Sequence, residues 1–103
     1  MEWYAYLAYL FAGALLVNGV PHFVEGIAGR RFQSPFASPP GVGESSPVVN
    51  VIWGLANFAA GYALIAGVGD FSLGLTRSAL MVFVGALVAA TALAGYFGKV
   101  RGA

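Results

Sequence analysis

The sequence predicts an all-α integral membrane protein: three transmembrane helices, with a Pro/Gly-rich cytoplasmic loop after a first helix kinked at Pro21. Three observations predict it. First, 59% of the 103 residues are apolar and only 9% charged, with a mean hydropathy of +0.80. A soluble domain is about 25% charged, and one this small leaves roughly a third of its unfolded surface in need of polar cover. Second, long apolar stretches recur three times, each near the roughly 20 residues a bilayer core requires. Third, the basic residues are unevenly distributed between the two ends of such a bundle.

The first span covers residues 3–20, with an extension to 29. Met1, Glu2 and Trp3 give it no positive leading region, so a retained helix is expected rather than a cleaved leader. Pro21 lacks a donor and crowds the carbonyl four residues back, so a bend is expected over Val17–Pro21. His22–Ile27 can carry the helix further, and Gly29 is a plausible end. Pro35, Pro39, Pro40, Gly41 and Gly43 make Phe32–Ser46 an irregular, stiff segment, expected to fold back as a cap. Ser46 and Pro47 then start the second span, 47–68, with a capping hydroxyl and a proline at the first helical position. Gly67, Gly69 and Asp70 end it, and Thr76 or Ser78 caps the third, 78–98. The whole chain, 1–103, reads as a single membrane domain.

With three spans, Arg77 lies on the N-terminal side, and Arg30, Arg31, Lys99 and Arg101 lie on the other. The positive-inside rule places the long loop and the C-terminus in the cytoplasm and the N-terminus outside. Such asymmetry suits an inner membrane.

Small residues mark the expected packing faces, because close approach replaces the hydrophobic effect between helices in lipid. Asn50, Gly54, Asn57 and Gly61 line one face of span two, Ser78, Gly85, Ala89 and Ala92 one face of span three, and Ala5, Ala8, Ala12 and Gly19 one face of span one. These stripes either dock the three helices to one another or build a homo-oligomer.

Polar side chains inside such spans are costly unless paired, so each is a functional candidate. Asn18, His22 and Glu25 share a face if helix one continues past Pro21, and Asn50 and Asn57 share a face of helix two. These five are the expected lining of a pocket or pathway in the cytoplasmic half, for a small polar solute or ion. His22, the only histidine, is its proton-exchanging element. Each also has a plainer role. Asn18 can satisfy the carbonyl freed by Pro21, His22 and Glu25 can form a solvated pair, and the other two asparagines can hydrogen-bond across helices. Arg30 and Arg31 are expected to contact lipid head groups and fix topology.

Several functions are disfavoured. Low charge and 15% aromatic content exclude disorder. A net charge of +1 with no basic stripe argues against nucleic-acid binding. The absence of cysteine removes disulfides and thiolate chemistry. One histidine and one nearby glutamate are too few for a closed metal site, so no metal and no cofactor are expected. The serines lie in no nucleophile motif, and no catalytic residue is assigned.

The run Asn18-Gly19-Val20-Pro21-His22-Phe23, followed by Ser34-Pro35-Phe36-Ala37, Pro39-Pro40-Gly41, Ser45-Ser46-Pro47, Asn50, Trp53-Gly54 and Asn57, resembles a group of small bacterial inner-membrane proteins of unassigned function. The resemblance spans roughly residues 18–57 and implies a bacterial inner-membrane location, with no mechanism attached. The leading expectation is a small channel- or transporter-like protein, embedded in the bilayer and homo-oligomeric. The alternatives are a non-catalytic accessory or scaffold subunit, and an enzyme acting on a lipid or isoprenoid through His22 and Glu25.

Overall fold

The computed structural model describes residues 2–102. Its elements are helix α1 (Trp3–Ile27), strand β1 (Phe32–Gln33), strand β2 (Glu44–Ser45), helix α2 (Pro47–Gly67) and helix α3 (Arg77–Val100). The helices hold 25, 21 and 24 residues. At 1.5 Å per residue each is about 32–38 Å long, enough to cross a hydrocarbon core of about 30 Å. All three are long and apolar enough to span a membrane, as a multi-pass membrane protein requires.

The helix ends follow from local chemistry. α1 runs through Pro21 to Ile27 and stops in a Schellman turn: Arg30 N–H bonds the Glu25 carbonyl (2.9 Å) and Gly29 N–H that of Gly26 (3.0 Å). That turn needs a left-handed residue, and Gly29 supplies it at φ +77°. Ser46 caps α2 by accepting from Val49 N–H (3.3 Å), with Pro47 in the first turn. Thr76 caps α3 by accepting from Ala79 N–H (3.2 Å). Ser78 instead turns back to the 68–76 connection, where its hydroxyl accepts from Ser72 N–H (3.0 Å).

α1 is the central helix. It packs against both α2 and α3, whereas α2 and α3 hardly meet. The buried residues of α2 are Asn50, Gly54, Asn57 and Gly61, a single stripe turned to α1. α3 buries only Ser78 and Gly85. At Gly85 the two backbones touch: a Cβ there would overlap the Leu10 carbonyl oxygen, just as one on Gly13 would overlap that of Val82. Ala89 of α3 is half-buried and Ala92 exposed, so that expected stripe covers α1 only in its first half.

The 28–46 connection is more ordered than proline and glycine alone suggest. β1 and β2 pair antiparallel, Phe32 with Ser45 and Gln33 with Glu44, and pinch its base. Ser34 secures the loop inside the pinch. Its carbonyl accepts from Gly41 N–H (2.8 Å), and its hydroxyl meets that of Ser45 (2.5 Å). The Ser38–Pro39 peptide is cis.

Candidate functional site

The polar residues of α1 and α2 meet in pairs. Asn18 donates from Nδ2 to Asn57 Oδ1 (3.0 Å), and Asn57 Nδ2 donates to the Trp53 carbonyl of its own helix (2.9 Å). Asn18 Nδ2 thus donates across the α1–α2 interface. One turn nearer the loop, His22 Nδ1 lies 2.8 Å from Asn50 Oδ1.

Asn50 is fully buried and joins three parts of the chain. Its Nδ2 donates to the carbonyls of Phe32 (3.2 Å), Ser45 (3.1 Å) and Ser46 (3.1 Å). Those acceptors fix the amide's orientation, so Oδ1 must face the imidazole. Nδ1 of His22 therefore carries the proton and donates, because two acceptors cannot bond each other. The Asn50 side chain thus holds α1, α2 and both strands of the loop base together.

Aromatic rings cover this junction. Phe32 stands edge-on to His22 with centroids 5.4 Å apart, and Phe97 of α3 lies 4.8 Å from Phe32. The Arg101 guanidinium sits 5.0 Å above the Phe32 ring and donates to Gln33 Oε1 (2.8 Å). Tyr96 reaches from α3 to the Gly41 carbonyl (2.9 Å). The loop is thereby fastened to all three helices and closes one end of the bundle.

Of the seven residues singled out in the sequence, Asn18, Asn57, His22 and Asn50 meet as two pairs. Glu25 does not join them. It faces out of the junction and pairs with Arg30, which the Schellman turn swings back alongside it. No His22–Glu25 hydrogen bond is present among the described residues; His22 pairs with Asn50 and Glu25 with Arg30. Arg31 lies at the exposed edge and donates to the Glu44 carbonyl (3.3 Å). Asn18 alone of the five expected lining residues borders one of the principal cavities among the described residues. That cavity measures about 360 Å³ and is otherwise walled by apolar side chains, including Phe11, Leu15 and Leu93. Among the described residues no group of His, Asp and Glu is placed to hold a metal ion.

Sequence reasoning missed Ser34, Gln33 and Arg101 as parts of the junction, and Tyr9 altogether. Tyr9 is fully buried and donates to the Val68 carbonyl at the opposite end (2.6 Å). Nothing separates it from the neighbouring tyrosines except its place on the buried face of α1. Ser34 and Ser45, whose hydroxyls meet, carried a usable signal, since they bracket the Pro/Gly-rich run.

No protein-family model, curated protein or solved structure matches the chain.

Proposed function

We propose that the chain is a non-catalytic accessory or scaffold subunit of a bacterial inner-membrane assembly, with the 28–46 loop and the C-terminus cytoplasmic and α1 bent at Pro21. One observation carries this reading: Asn18 Nδ2, Asn50, Asn57 and His22 Nδ1 hydrogen-bond one another and backbone carbonyls, and they converge on no shared cavity among the described residues. A transport pathway would need those groups free to replace a solute's water. The bacterial setting draws on the resemblance of residues 18–57. The orientation draws on the excess of Arg and Lys at the loop end.

The exposed flank of α3 is the surface such a subunit would offer. Only 6% of its apolar window is buried within the chain. Mild detergent extraction followed by native mass spectrometry tests the reading. A larger protein is expected to co-purify in fixed ratio, and a lone homogeneous homo-oligomer would overturn it.

The channel- or transporter-like reading keeps one specific support, the Asn18 amide at the edge of the 360 Å³ cavity. It predicts ion or small-solute flux in liposomes that changes in His22→Ala. Flux that is absent, or equal in the two proteins, leaves the accessory role standing.

A further inference from the structure

The loop end of the α1–α3 crevice combines features suited to one class of ligand. Beyond the backbone contact at Gly85, the two helices leave a crevice of about 420 Å³ lined by apolar groups, among them Val17, Val20 and Pro21 of α1 and Ala90 and Ala94 of α3. Its last wall is the aromatic pair Phe32 and Phe97. Directly over Phe32 lies Arg101, exposed, at the helix end where a spanning α3 leaves the hydrocarbon. The guanidinium is held in place by the ring beneath it and by Gln33 Oε1. One Nη is used in that bond. The remaining N–H groups have no hydrogen-bond partner among the described residues and match the oxygens of a phosphate.

The surrounding charge has the matching sign. Arg30 pairs with Glu25, which leaves Glu44 as the one other acidic side chain beside Arg31, Lys99 and Arg101 at this end among the described residues. Basic groups above a gap between helices form a general recognition pattern for anionic head groups.

We propose that this crevice binds one anionic phospholipid, with an acyl chain along Val17, Val20 and Ala90 and the phosphate at the Arg101 guanidinium. The site does not depend on the accessory-subunit reading. A lone homo-oligomer would overturn that reading and leave this one intact.

The test uses the purified full chain in neutral detergent, with retained lipid counted by native mass spectrometry. The probes are phosphatidylglycerol, phosphatidylcholine with the same acyl chains, and glycerol phosphate as a head group without chains. Wild type is expected to retain phosphatidylglycerol about tenfold over phosphatidylcholine and not to retain glycerol phosphate. The preference should shrink several-fold as salt rises, because an exposed charge pair is screened. Arg101→Gln is expected to bring the preference below about twofold while both lipids still bind. Ala90→Trp, which fills the crevice, is expected to lower retention of both at least fivefold. Circular dichroism checks that each variant keeps its helices, and the salt series on wild type serves if Arg101→Gln does not. Equal retention of the two lipids by wild type would overturn the proposal. So would a salt-independent preference, an unaltered preference in Arg101→Gln, unaltered retention in Ala90→Trp, or glycerol phosphate binding as well as the lipid.

Discussion

Asn50 and Asn57 are the same residue type, seven positions apart on the buried face of one helix, yet they do different work. Asn57 makes one bond to Asn18 and one to its own helix. Asn50 serves His22 and three carbonyls, among them those of the loop base. Truncating it removes this partner from two buried groups, His22 Nδ1 and the Phe32 carbonyl, at about 1–3 kcal/mol for each one stranded. Asn50→Ala is therefore expected to cost clearly more than Asn57→Ala, whose interhelical bond is of the kind worth about 0.6 kcal/mol. Unfolding from mixed micelles by titration with SDS, followed by helicity, compares the two; equal losses would contradict this account. These asparagines stand out in the sequence because an amide in an apolar run is conspicuous. Their partners do not, since those depend on how α1 crosses α2 and on a loop base that no helical period encodes. Glu25 shows the limit of face arithmetic. Its spacing from His22 suits a shared face, but the turn after Ile27 brings Arg30 within reach first.

At the scale of elements, the three helices are legible because length and hydropathy decide them, and capping chemistry marks their starts at Ser46 and Thr76. The paired strands are not, because two residues per strand give no alternation to read. The α1–α3 contact rests on backbone approach at Gly85. Gly85→Ala should force α3 away from α1 and destabilise the protein by about 1–3 kcal/mol, the usual cost of overpacking. Gly95→Ala is the control, since nothing lies within 4 Å of a Cβ there, and it should be neutral or slightly stabilising through helix propensity. Thermal melting of the two variants in the same micelles separates them. Matching midpoints would show that the close approach does not hold α3 in place.

At the scale of the molecule, three helices long and apolar enough to cross would put residues 28–46 and the C-terminal end on one face of a bilayer and residues 68–76 on the other. The chain has no cysteine, so single substitutions report sidedness cleanly. In sealed vesicles, Ser38→Cys and Gly102→Cys should share their reactivity toward a membrane-impermeant maleimide, and Gly74→Cys should show the opposite. Labelling of all three from one side would refute the three-span arrangement. The central position of α1 also bears on biogenesis. A chain is made from its N-terminus, so α1 leaves the ribosome first, carrying an amide and an imidazole that lipid solvates poorly. Both find their partners on α2, and neither bonds α3. The nascent protein can thus complete its polar pairing as a two-helix hairpin, before the last third has been translated.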